Sequence, residues 1–167
     1  MGVEHPPRWP ACPASSGSRR RRWRWSHSPR DTRRATAQEN VEIVRRAHEA
    51  LNAGNLDELV TLCHPEFQLD MSDRVLNPAI YEGHDGIRQF YSEVQDVWER
   101  YVWEPEELRD EGDIVVALLR TTGRGRGSGV EINRKTAMIW TVRGGKALWL
   151  RFYREPDRAL EAAGLRG

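Results

Sequence analysis

Apolar residues recur on a helical period in the first half of the chain and on a strand period in the second. Val41, Val44, Ala47, His48 and Leu51 fall on one stripe of a 3.6-residue repeat. Thr36 and Glu39 stand ahead of them at capping-box spacing, which predicts a helix that starts at Thr36. Gly54 ends it, Asn55 caps a second helix from Leu56 to about Cys63, and Pro65 closes that one. "FQLDM" reads as a short strand, and an irregular stretch with Asn77-Pro78 follows. A third helix, starting near His84 or Asp85, carries Ile87, Phe90, Tyr91, Val94, Val97 and Trp98 on one side.

Strands are predicted over 101–109, 113–122, 130–142 and 146–154, with turn residues at Glu111-Gly112-Asp113 and Arg143-Gly144-Gly145. Residues 123–129, rich in Gly and Arg, read as a mobile connection, and "PDRALEAAGL" as a last short helix. The strand 130–142 is one-sided: Val130, Ile132, Met138, Trp140 and Val142 are apolar, while Glu131, Asn133 and Lys135 are polar. Arg134 breaks that alternation and marks a candidate bulge. The strand 113–122 is apolar on both faces, with Ile114, Val116 and Leu118 on one and Val115, Ala117 and Leu119 on the other. Such a strand needs a second cover, and a second copy of the chain would provide it. Trp149, Arg151 and Tyr153 share a face of the last strand and are residue types favoured at interfaces. Helices first and antiparallel strands afterwards imply an α+β fold.

Composition changes the picture mainly at the N-terminus. The chain has 167 residues, enough for one domain but not for two ordinary ones. Residues 1–37 hold nine arginines against Glu4 and Asp31, a balance of +7, which leaves residues 38–167 at −6 of a total of +1. "RRRRWRW" at 19–25 has the chemistry to meet phosphate and bases. It lies, however, in a segment (1–35) of Pro, Ser, Arg, Gly and Trp that cannot bury a core. That segment is expected to be a disordered tail, with the domain at 36–167. An acidic domain behind a basic tail makes nucleic acid an unlikely partner for the domain itself. Only two cysteines are present, Cys12 and Cys63, so no disulfide framework is indicated. With no apolar run of membrane-spanning length and no secretory leader, no membrane role and a cytoplasmic location are expected.

Four segments in order, "EIVRRAHEALNAGNLDELVTLCHPEF", "YEGHDGIRQFY", "GDIVVALLRTTGRGRGSGVEI" and "IWTVRGGKALWLRFY", resemble the SnoaL-like domain family. That polyketide cyclase-like family belongs to the superfamily of nuclear transport factor two and ketosteroid isomerase. The resemblance spans about residues 38–165. It implies a cone-shaped barrel, in which a curved, mostly antiparallel sheet wraps the N-terminal helices and leaves a pocket, and a homodimer through the outer face of the sheet.

It also implies a site. The general base of the isomerases matches Asp70, and an Asp in an apolar cone can have the raised pKa that carbon-acid chemistry uses. The two oxyanion donors of those enzymes match Ala47 and Met138, which donate nothing; Trp140 is a substitute donor if its indole faces the pocket. Parity with Leu118 directs Arg120 into the cone, where it should meet an acid, with Asp70 the expected partner. Tyr91, Trp98, Met138, Trp140, Leu150 and Phe152 are expected to line the pocket, and His48 to reach it or to pack beside it. His64 and His84 occupy helix ends, with ordinary capping uses. No His, Cys or acid cluster has metal-site spacing, and the glycines of "GRGRGSG" precede a strand rather than a helix, so neither a metal nor another cofactor is expected. Two classes remain open, an isomerase, cyclase or hydrolase acting through Asp70 on an apolar or aromatic molecule and a non-catalytic binding or dimerisation module, with nucleic-acid binding through the basic tail a weaker third.

Overall fold

A computed structural model describes residues 31–165, so the expected tail lies outside the described residues up to Arg30. Helix α1 spans Asp31–Ala53 and therefore begins before Thr36, which sits inside it rather than capping it. "DTRRATAQE" contains no Gly or Pro that would stop a helix. The predicted stripe is the buried one: Val44, Ala47, His48 and Leu51 are all within 6 % of full burial. Two asparagines fasten α1 to the sheet. Asn40 Nδ2 donates to Gly112 O at 3.1 Å, while Asn52 accepts from Trp103 N and donates to Trp103 O, both at 3.0 Å.

Gly54 has φ +70°, and a Cβ there would lie 2.5 Å from the Tyr91 hydroxyl, so the turn needs glycine for both conformation and space. Asn55 caps α2 (Leu56–Leu62) by accepting from Glu58 N at 3.2 Å. Strand β1 (Cys63–Asp70) then starts at Cys63, with Pro65 inside it rather than ending a helix. The β1–β6 register shifts between Cys63 and Gln68, where a missing N–H is tolerated, and Glu66 N donates instead to His64 Nδ1 at 3.0 Å. A three-residue strand, β2 (Ile80–Glu82), lies in the stretch read as irregular; it is too short to show a period. Helix α3 (Gly83–Val97) ends one residue before Trp98, which opens β3 (Trp98–Glu111).

Strands β4 (Ile114–Gly125), β5 (Glu131–Arg143) and β6 (Lys146–Tyr153) complete a curved, open six-stranded sheet in the order β2-β1-β6-β5-β4-β3. All neighbours are antiparallel except β1 and β6. The connection read as mobile is tied down: Gly125 N donates to Val130 O at 2.7 Å and Arg126 N to Val97 O at 2.8 Å. Helices α1, α2 and α3 pack on the inner face around Phe67, Leu69, Val115, Ala117, Leu119, Met138, Trp140, Leu150 and Phe152. Helix α4 (Pro156–Ala162) packs on the outer face against Val116, Ala137, Ile139 and Tyr153. The second cover that β4 requires thus comes from the chain's own C-terminus. Among the described residues no helix is long and apolar enough to cross a membrane.

Candidate functional site

Strand alternation and cross-strand register decide which side chains the helices can meet. Leu69 pairs with Leu150, Met138 with Phe152 and Val115 with Trp140, and these pairs face inward. Asp70 pairs with Arg151, one residue on, and so faces outward. There its Oδ1 accepts from Ser72 N at 3.0 Å and Ser72 Oγ at 2.5 Å, and its Oδ2 lies 3.7 Å from Arg151 Nε. The expected base therefore stands on the opposite side of the sheet from the apolar interior.

Arg120 is also on the outer face, with Leu118, and not in the cone. Its Nε donates to Glu106 Oε1 at 2.7 Å and its Nη1 to Asn133 Oδ1 at 3.1 Å, in a pair exposed on both sides. The expected Asp70–Arg120 pair does not form: Asp70 on β1 meets Arg151 of β6, Arg120 on β4 meets Glu106 of β3, and β6 and β5 lie between them.

Met138, Trp140 and Leu150 border a cavity of about 20 Å³ together with Phe67 and Phe90, and Phe152 lies in the same core. A void of that size holds about one water molecule, so the deep interior is filled by its own side chains. His48 is buried behind Trp140, whose Nε1 donates to His48 Nε2 at 3.3 Å. Burial lowers the His48 pKa to about 4, the Trp103 backbone opposing the shift, so the ring is neutral and acts as an acceptor. Tyr91 and Trp98 pack at the rim, and Gln95 Nε2 donates to the Tyr91 hydroxyl at 2.8 Å. His84 Nε2 lies 3.0 Å from Cys63 O, in keeping with a helix-end role. The Cys63 thiol is pushed up to about 12 by burial, with Lys146 opposing, and is an inert core group.

One end of the inner face is aromatic, with Tyr81, Phe90 and Trp103 buried and Tyr101 and Trp98 partly exposed. Ring centroids run in series from Tyr81 to Phe90 (5.4 Å), Trp103 (5.8 Å), Tyr101 (4.4 Å) and Trp98 (5.0 Å). Tyr101 and Trp103 pair with Gly123 and Thr121 of β4, which fixes them on the inner face. Thr121 and Thr136 are fully buried there and share a 2.7 Å hydroxyl hydrogen bond. Arg74, from the segment between β1 and β2, lies with its Cζ 5.4 Å from the Phe90 ring centre. Tyr81 donates to Glu93, and burial, with Glu93, pushes its hydroxyl up to about 12. Arg74, Asn52, Tyr101 and Trp103 escaped the sequence reading. Parity along 101–103 pointed to the two aromatics; nothing local distinguished Arg74. An open groove of about 760 Å³ runs along β2 and α3, lined by Glu82, Asp85 and Glu93 and adjoining the aromatic row at Tyr81. Among the described residues no group of His, Cys, Asp and Glu is placed to hold a metal ion.

The model of the SnoaL-like domain family matches residues 44–149. TerC, co-crystallised with polyporic acid, superposes with a TM-score of 0.63 at 19% identity, covering 75% of this chain and 98% of that one. An NTF2-like protein from Burkholderia xenovorans gives a TM-score of 0.64 at 21% identity over 76% of this chain and 97% of its own. A protein with a ketosteroid isomerase-like fold from Catenulispora acidiphila, in complex with trimethylamine, gives 0.62 at 19% identity, over 75% and 94%. At these identities the likeness is one of fold. No curated protein matches the chain at a significant level.

Proposed function

The chain belongs to the SnoaL-like domain family, and from that premise we propose that it binds a planar apolar or aromatic small molecule at the aromatic end of its inner face without transforming it. The observation that carries this reading is the row of five aromatic rings from Tyr81 to Trp98, with the inner face behind it. Aromatic walls offer area and ring contacts to a planar ligand. TerC, crystallised with polyporic acid, and the Catenulispora protein, with trimethylamine, are folds of this kind that hold small organic molecules, which supports the class and not a particular ligand. Catalysis through Asp70 is not proposed, since its carboxylate turns away from that face toward Ser72 and Arg151. Tyr91, Trp98, Met138, Trp140, Leu150 and Phe152 then serve as walls and floor, with His48 holding Trp140 in place. A homodimer through the outer face of the sheet, and a cytoplasmic location, remain proposals.

Calorimetric titration of the full chain with 1-naphthamide tests the binding reading. Saturable binding and a raised melting temperature are expected, with Tyr101→Ala weakening binding by roughly fivefold and Asp70→Asn leaving it unchanged. The ligand should be recovered intact. No binding by the wild type sinks the proposal, and conversion that Asp70→Asn abolishes would replace it with catalysis.

A further inference from the structure

The aromatic end of the inner face holds two buried donor nitrogens without a protein acceptor. Trp103 is 2% exposed, and its Nε1 is buried without a partner. Arg74 Nη1 is likewise buried and unpartnered, on a guanidinium that lies over Phe90, the ring next to Trp103. Native interiors seldom leave such donors unmet, so two that both adjoin the Phe90 ring ask for an explanation. The charge around them has one dominant sign. Arg134 pairs with Thr121 and so sits on the inner face, and the positive charges of Arg74 and Arg134 both act on Tyr101. Glu93, the acid that Arg74 reaches, already accepts from Tyr81 and Gln89.

The segment that delivers Arg74 is held in place. Its ends are closed by Met71 N donating to Ala79 O at 2.9 Å. Asp73 hooks the segment to the outer face, accepting from Arg154 N at 2.8 Å and Arg158 Nη1 at 3.3 Å. The next residue turns the other way, over the rings. Arg74 is thus positioned by its neighbour's anchorage, with Tyr81 and Glu93 beside its guanidinium.

We infer that Arg74 and the Trp103 indole form an oxyanion site, and that the ligand is a planar aromatic anion, with a carboxylate or enolate oxygen between these two donors and its ring against Phe90 and Tyr101. The inference rests on the binding reading above and adds the charge of the ligand. An arginine and an indole N–H both donate and cannot accept, so together they select an acceptor oxygen. A hydrogen bond to a charged oxygen is also stronger than one to a neutral group.

The test compares 1-naphthoate with its neutral isostere 1-naphthamide, by calorimetry on the full chain. The naphthoate is expected to bind about tenfold tighter or more. Arg74→Gln should weaken both probes but the naphthoate far more, so that the preference is erased, and Arg74→Lys should keep part of it. In the wild type, the indole N–H resonance that is missing from Trp103→Phe should move downfield with naphthoate and not with the amide; this readout holds even if an Arg74 variant folds poorly. Equal affinities for the two probes, or a preference that survives Arg74→Gln, would overturn the inference while the binding reading stands. Failure of both probes to bind overturns both.

Discussion

His48 and Trp140 settle each other's chemistry. The indole N–H donates to His48 Nε2, which must then be the unprotonated nitrogen, and Nδ1 carries the proton toward the backbone of Trp103 without reaching a partner of good geometry. Protonating Nε2 would set two donors against each other in a fully buried site. The folded-state pKa is accordingly about 4, below the ordinary value of 6.5. Because the unfolded chain takes up this proton more readily than the folded one, the contribution to stability is complete above pH 6.5. It is lost as pH falls from there through 4, to a total of about 3 kcal/mol. Urea unfolding at pH 7, 5.5 and 4.5 should show this extra loss in the wild type and not in His48→Gln, whose amide oxygen can still accept from Trp140. Parallel pH profiles for the two proteins would mean that His48 does not carry the acid sensitivity.

At the level of elements, periodicity located nearly everything longer than one turn of helix or four residues of strand. What it could not supply was the face. Leu118 and Leu119 are equally apolar, so the inner side of β4 is decided only by pairing, with Ala117 against Met138 and Val116 against Ile139. That ambiguity put Arg120 in the cone, and the match to the isomerases' general base put Asp70 there. Short polar contacts were equally illegible, because Asn52 meets Trp103 and Arg74 meets Phe90 across 51 and 16 positions of sequence. Helix α4 was anticipated as an element but not as the cover for β4. Ala159, fully buried, is where it seats against the sheet. A charge there has no partner on Val116, Ala137 or Ile139, so Ala159→Glu should destabilise by about 2–4 kcal/mol. The loss is to be read from the urea midpoint at unchanged slope. A change within about 0.5 kcal/mol would show that α4 is dispensable to the fold.

For the whole molecule, the covered β4 changes the case for a second copy. The apolar outer face that asked for a partner is already occupied by α4 at Val116, Ile139 and Tyr153. What α4 leaves is a strip where Ile114, Thr141 and Trp149 lie side by side across β4, β5 and β6, with Arg151 next along β6. Each is only partly buried in the single chain. A stable dimer needs about 800 Å² from each partner, more than four side chains offer, so a dimer through this face must also enlist residues around the strip. Thr141, at its centre, is the position where an added charge would face its symmetry-related copy in an isologous contact. Sedimentation equilibrium of the full chain at micromolar concentration is expected to give twice the mass of one chain, and Thr141→Arg the mass of one. A wild type that sediments as a single chain removes the dimer. A variant that stays dimeric moves the interface off this strip and leaves α4 as the only cover that the outer face of the sheet requires.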